Sequence, residues 1–384
     1  MRSMRSASPP HSSLSRTGSS ERNAMSVKPV STAPGSSTTT ETPKGSTSRR
    51  RASLSASTAC LLAAYAQLLA ARVVPRGLFD AALRGAMGLP SASRGARHGG
   101  TKLALITGAA GGIGSNAALR LAKRGFRVIA TDRDEAALTK LARAGKEARL
   151  AIEVCAMDVT DPASIARAAG LVERRSEGRG LDVLVNNAGY AELGPIELAS
   201  DEAWRAQLEV NVYGLVAVTQ AFAPDMRRAR RGHIVNVSSI AGLLAFPFMG
   251  VYCASKFAVE ALTDALRLEL GAFGVGVSAV QPSFIRSGFA ARATQTVERY
   301  RLKESPYAPI ADRMDAILAR MDALGGEPED VARAIERAAT SASPRARYRA
   351  PFSAKVAAAA LPWVPSALED RGLTRMFELH RLRA

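Results

Sequence analysis

The chain has 384 residues, 47% of them hydrophobic, enough for one large α/β domain or two small ones. Its net charge of +18 is uneven: residues 1–100 carry 14 Lys/Arg against 3 Asp/Glu, and the rest carry 38 against 31, so strong basicity belongs to the first part only. The three cysteines, Cys60, Cys155 and Cys253, lack metal or disulfide spacing, which excludes a disulfide framework, gives no metal site and points to a reducing compartment.

Residues 1–50 are rich in Ser, Thr, Pro and Arg and nearly free of aromatics, a composition that cannot bury a core and predicts disorder. Arg49, Arg50 and Arg51 then precede twenty uncharged residues, 52–71. About 20 apolar residues span a bilayer, but the first half of this stretch is Ser, Thr and Ala, and Gln67 interrupts the rest. A helix over 52–74 is expected, open to three readings: a membrane anchor, an accessory helix packed on the domain, or part of a targeting segment. No aromatic residues interleave with the basic ones, so nucleic acid is not an expected partner. The leader is assigned to 1–98 and a single catalytic domain to 99–384. A cytoplasmic location is expected, with membrane association through the leader as the alternative.

From residue 101 the pattern changes. Leu103–Ile106 reads as a short apolar strand running into the glycine-rich turn of "TGAAGGIG". A helical pattern follows over 115–124, then a second strand, "FRVIAT", ending at Asp132. Strand, glycine turn, helix, strand and acid in this order suit a dinucleotide site. Glycines let the backbone approach a pyrophosphate, the helix N-terminus offers unpaired N–H groups and a positive dipole end, and the acid binds ribose hydroxyls.

The spacing Thr107-Gly108-x-x-x-Gly112-Ile113-Gly114 resembles that of the short-chain dehydrogenase/reductase family, and the resemblance continues in register. "DVTD" at 158–161 is similar to the segment carrying the family's adenine-contacting acid, which assigns Asp158 and Val159 to the cofactor. "NNAG" at 186–189 assigns Asn186, Ala188 and Gly189. "NVYG" at 211–214, "IVNVSS" at 234–239 and "YCASK" at 252–256 follow, and "QPSFIRS" at 281–287 resembles the loop that closes over nicotinamide, assigning Pro282, Ile285 and Ser287. The resemblance covers residues 101 to about 290. It implies a doubly wound Rossmann sheet with helices on both faces, an NAD(P)-dependent oxidoreductase, and a homo-oligomer, dimer or tetramer. Texture around the "YCASK" run is similar to the steroid- and retinol-active branch. Ser283 and Ser287 stand where the family has Gly and Thr; Ser287 keeps a hydroxyl for the carboxamide.

Asp132 favours NAD, because a carboxylate there accepts hydrogen bonds from the ribose diol and repels a 2′-phosphate. Arg133 next to it suits the phosphate of NADP, the alternative.

Asn211, Ser239, Tyr252 and Lys256 match the family's catalytic set. Hydride transfer to a carbonyl develops negative charge on oxygen, which Tyr252 can protonate. The reverse direction needs a phenol of lower pKa: moving it from about 10 to about 7 requires roughly 4 kcal/mol. One cation at about 4 Å supplies about that much at an effective dielectric near 20. Lys256, four residues on along a helix, is therefore expected to lower Tyr252. Ser239 holds the substrate oxygen, and Asn211 resembles the residue that anchors a water beside the lysine. Tyr252 and Lys256 also bind cofactor. Ser238 is read as structural, Cys253 as a small core residue, and His233 as a turn residue without a catalytic role.

Residues 284 to about 325 show no strand pattern and read as a mobile helical lid over the substrate, offering Phe284, Phe289, Tyr300, Tyr307 and Met314. Leu243, Leu244, Phe246, Phe248 and Met249 precede Tyr252. Arg286 is the one charged group expected there, so a lipophilic alcohol or ketone is the expected substrate. The amphipathic, basic tail is expected to cover the pocket or to rest on a membrane as a peripheral contact. The alternative function, a non-catalytic NAD(P)(H) sensor or scaffold, has no use for a tuned phenol.

Overall fold

The computed structural model describes residues 101–286, 296–301 and 305–383. The leader with the helix expected at 52–74, together with Ser287 and Phe289, lies outside the described residues.

Seven parallel strands form one sheet in the order β3-β2-β1-β4-β5-β6-β7. They are β1 (Leu103–Thr107), β2 (Arg127–Asp132), β3 (Ile152–Ala156), β4 (Val183–Asn186), β5 (His233–Val237), β6 (Gly276–Pro282) and β7 (Arg347–Ala350). Parallel strands joined by helical crossovers are covered on both faces and read as unbroken apolar runs; β1, β4 and β5 are buried at every position.

The period of two divides each strand between two cores. Ala104 and Ile106 face one layer, with α1 (Gly112–Lys123), α2 (Glu135–Glu147) and α9 (Pro328–Thr340). Leu103 and Leu105 face the other, with α3 (Pro162–Ser176) and α5 (Leu215–Arg228). This is the doubly wound arrangement expected from the sequence. Helix starts follow local chemistry: Asp134 caps α2 by accepting from the Ala137 N–H at 2.9 Å, and Asp161 caps α3 with Pro162 in its first turn.

Strand order reverses between β1 and β4, which opens a crevice at the carboxyl ends of the strands. Over it lies a third core built from α6 (Gly250–Gly271), α7 (Ala308–Ala311), α8 (Met314–Ala323) and α10 (Phe352–Ala360), reaching Phe377 beyond α11 (Ser366–Met376). Tyr300 and Met314, expected on the substrate, are buried in this core, and Tyr307 packs edge-on against Phe248 with ring centres 5.8 Å apart. Their role is to hold the covering layer in place.

Candidate active site

The turn after β1 is shaped by close approach. Gly108 has φ +64, and a Cβ there would lie 2.8 Å from the Ala188 Cα; at Gly114 a Cβ would lie 2.2 Å from the Gly108 carbonyl oxygen. The first helical turn is thus pressed on the loop before it, in space only glycine leaves. Helix α1 starts without a side-chain cap and without an acid in its first turn, which keeps its positive end open to an anion.

A cavity of about 750 Å³ runs from this turn across the crevice. At one end it is lined by Gly108, Gly112, Ile113, Gly114, Asp132, Arg133, Asp158 and Val159; Ala188 and Gly189 follow, then Ser239, Tyr252, Lys256, Pro282 and Ile285. Asp132 sits at the carboxyl end of β2, where its Oδ2 accepts from the Ala110 N–H at 3.0 Å and its Oδ1 from the Asp134 N–H at 3.1 Å.

Thr107 and Asn186, expected on the cofactor, are not on this wall. The Thr107 hydroxyl accepts from the Asn187 and Ala188 N–H groups at 3.0 and 2.9 Å, tying the glycine turn to the loop after β4. Asn186 is still in β4 and points between strand and helix, donating to Asn236 Oδ1 at 2.9 Å and Thr219 Oγ1 at 3.0 Å. Asn187 lines the cavity instead, and its amide donates to the Thr107 and Gly108 carbonyls at 2.9 Å each. The doubled Asn in "NNAG" was the signal, but composition does not say where the strand ends.

Tyr252 and Lys256 lie on successive turns of α6, both buried. The Ser239 hydroxyl hydrogen-bonds the Tyr252 side chain and accepts from the Ala241 N–H at 3.1 Å. Lys256 Nζ donates to the Val237 carbonyl at 3.0 Å and lies 5.7 Å from the centre of the Tyr252 ring. Burial pushes the Tyr252 phenol well above its ordinary value, with the Ser239 bond opposing it. Burial also brings Lys256 down to about 8, against the pull of Glu260. The expected lowering of Tyr252 is therefore not produced by the chain's own groups. A dry environment penalises the phenolate, and the ammonium is directed at a backbone carbonyl.

Asn211 sits in a π-helical turn, Glu209–Gly214, between α4 (Asp201–Leu208) and α5. Its side chain is absorbed by structure: Nδ2 donates to the Tyr190 carbonyl and to Ser255 Oγ, each at 3.0 Å, and Oδ1 accepts from the Tyr190 N–H at 3.1 Å. It thereby fixes the loop after β4 against α6. A Cβ on Gly189 would lie 3.0 Å from Asn211 Oδ1 and 3.7 Å from Lys256 Nζ, so glycine keeps these groups close.

Beyond Tyr252 the wall is largely apolar, formed by Leu193, Phe246, Met249, Phe284, Leu318 and Met321, with Ser283, Thr296, Arg299 and Asp322 as its polar members. Phe248 is core and not wall. Arg286 does not line the cavity: it pairs with Glu327 and donates to the Gly325 carbonyl at 2.7 Å, securing the loop where Ile285 bridges Gly326. Arg299, on the wall and paired with buried Glu192 at 3.2 Å, was not anticipated, because nothing local in the sequence marks it. Cys253 is buried and accepts from the Phe246 N–H at 3.3 Å; His233 opens β5, buried, with Nε2 3.1 Å from Ser278 Oγ.

The family model for short chain dehydrogenase matches residues 102–298. The chain belongs to the short-chain dehydrogenase family. Human 17-beta-hydroxysteroid dehydrogenase type 6 is 39% identical over 287 residues, covering 71% of this chain and 88% of that protein. Mouse retinol dehydrogenase 16 is 34% identical, covering 70% and 86%. The crystal structure of a short chain dehydrogenase/reductase from Burkholderia phymatum in complex with NAD superposes with a TM-score of 0.57 at 31% identity, covering 64% of this chain and 88% of that one. The chain is an oxidoreductase of alcohol and carbonyl groups that uses NAD or NADP, in the steroid- and retinol-like branch of its family. Its residues fit such a cofactor: the turn has no room for side chains at Gly108 and Gly114, helix α1 is uncapped, and Asp132 stands at the end of β2.

Proposed function

We propose that the chain transfers a hydride between NAD and a lipophilic alcohol or ketone, with Tyr252 as the proton donor and acceptor. The observation that supports this reading is that the hydrogen-bonded Ser239–Tyr252 pair lines the same cavity as the glycine turn with Asp132 and the apolar side chains of Leu193, Phe246, Met249, Phe284, Leu318 and Met321. The cofactor supplies the hydride or takes it up, and when oxidised adds a positive charge to the site. In the reductive direction Tyr252 Oη gives its proton to the substrate oxygen, a task suited to a phenol that burial keeps protonated. Ser239 directs the phenol and can hold the same substrate oxygen as charge develops. Lys256 places a positive charge behind the ring, which stabilises the phenolate that proton donation leaves in reduction and that accepts the proton in oxidation. Asn211 acts through position, holding the loop at Gly189 and Tyr190 against α6.

The lipophilic substrate is supported by the six apolar side chains beyond Tyr252 and by the steroid and retinol named for the two relatives. NAD is favoured over NADP because the Asp132 carboxylate would face a 2′-phosphate. A panel of hydrophobic alcohols and ketones assayed with both cofactors tests the reading, with Tyr252→Phe run in parallel. Turnover of apolar substrates by the native chain and not by the variant is expected. Turnover confined to small polar alcohols would remove the substrate assignment, and a variant retaining most of its rate would remove the proton-transfer assignment.

A further inference from the structure

Between Phe352 and Leu368 the chain carries one charge, Lys355. A buried segment of that composition would need no comment, but this one is largely exposed: Phe352 at 74%, Val356 at 53%, Trp363 at 70% and Leu368 at 56%. On α10, Phe352, Val356 and Ala360 are four residues apart and share a face, while Ala354 and Ala358 are buried. The Pro362-Trp363-Val364-Pro365 turn is exposed throughout. On α11, Leu368, Gly372 and Met376 repeat the spacing, all exposed, with Leu373 and Phe377 turned inward. Exposed apolar surface on this scale marks an interaction site.

Charge and position narrow the occupant. The charged residues of the segment 352–376 are Lys355, Arg371 and Arg375, all exposed, against exposed Asp370 and half-buried Glu369. Apolar helix faces with basic neighbours and an exposed tryptophan are the pattern of a segment lying in a lipid interface. No helix among the described residues is long and apolar enough to cross a membrane. The face also begins at the cavity: Ser283 lines the cavity, and its hydroxyl lies 3.0 Å from that of Ser353, the residue after Phe352.

We propose that the exposed face of α10, the turn at Trp363 and α11 docks on an anionic lipid surface, and so brings the rim of the cavity at Ser283 to that surface. A ligand dissolved in the lipid then reaches Phe284 and the apolar wall without crossing water. The use of this docking rests on the lipophilic-substrate reading; the docking itself does not, and it can be measured without any substrate.

The test uses the full chain and vesicles of phosphatidylcholine with or without phosphatidylglycerol. The chain has two tryptophans, Trp204 and Trp363, so Trp204→Phe leaves Trp363 as the sole reporter. On anionic vesicles its emission should shift to shorter wavelength and be quenched by brominated lipid. Trp363→Asp with Leu368→Asp should weaken co-sedimentation at least tenfold while leaving melting temperature and activity on a water-soluble substrate unchanged, since both side chains are exposed. Replacing Lys355, Arg371 and Arg375 by Glu should weaken it similarly and remove its salt dependence. Undiminished binding of the Asp variant would overturn the proposal and assign vesicle binding to the leader. So would a Trp363 already shielded from aqueous quencher without vesicles, which would mean that another segment or a second copy covers the face.

Discussion

The Lys256 ammonium donates to the Val237 carbonyl at 3.0 Å and stands 5.7 Å from the centre of the Tyr252 ring. Helix α6 places the two residues one turn apart, and the carboxyl end of β5 then claims the ammonium. The cation therefore acts on the phenol through space, in a site where burial opposes both charges. Tyr252→Phe removes the proton donor and leaves the cofactor wall intact. It should lower kcat at least about 100-fold, the lower range of what general acid–base catalysis contributes, with cofactor affinity by fluorescence nearly unchanged.

The same pair sets a pH dependence. Lys256 is charged below its value of about 8 and neutral above it. Because kcat/KM reports groups of the free enzyme, kcat/KM for ketone reduction should be level below pH 8 and fall above it as the positive charge is lost. Lys256→Met should be slow at all pH and lack that descending limb. A limb that survives in the variant would belong to another group.

Cofactor choice is testable at the end of β2. Asp132→Ala removes a charge that opposes a 2′-phosphate. It should shift the ratio of kcat/KM for NAD over NADP by at least about tenfold towards NADP, or about 1.4 kcal/mol. This is well within what a charge pair at about 4 Å contributes between the water and protein-surface limits. A native preference for NADP would mean that Arg133 governs the site.

Gly114→Ala places a Cβ 2.7 Å from the Ala109 Cα and 2.2 Å from the Gly108 carbonyl oxygen. The turn must give way, at about 1–3 kcal/mol for overpacking. Loss of cofactor binding with a melting temperature several degrees lower is the expected result, read by calorimetry and cofactor fluorescence.

His233 gives an acid limb in stability rather than in rate. Burial lowers it from 6.5 to about 4. Its folded value is depressed, so between pH 6.5 and 4 the unfolded chain binds a proton that the folded chain does not. Stability from this residue is present above pH 6.5 and is lost as pH falls towards 4. From pH 7 to 5 the loss is about 2 kcal/mol at 1.36 kcal/mol per unit. Denaturant titrations at both pH values, compared with His233→Gln, should show this difference reduced by about that amount in the variant.

Much of the site was legible because its chemistry is local. Glycines at 108, 112 and 114, an acid ending the next strand, and Tyr252 four residues before Lys256 each depend on a turn, a strand end or one helical repeat. Those are set by neighbours in the chain. Residues whose position depends on where an element ends were less legible. Strand β4 runs one residue further than the motif suggests, so Asn186 enters the polar contacts with Thr219 and Asn236, and Asn187 turns to the cavity.

Sequence alone thus determined the order of strand, glycine turn, helix and acid, and the spacing of the serine, tyrosine and lysine, because backbone sterics and helical period act over a few residues. Only the tertiary structure decided which aromatics line the cavity and which support it. It drew Arg286 away to Glu327, set Arg299 against Glu192 and burial against the Tyr252 phenolate. Those outcomes depend on segments far apart in the chain, and on the removal of water that their packing enforces.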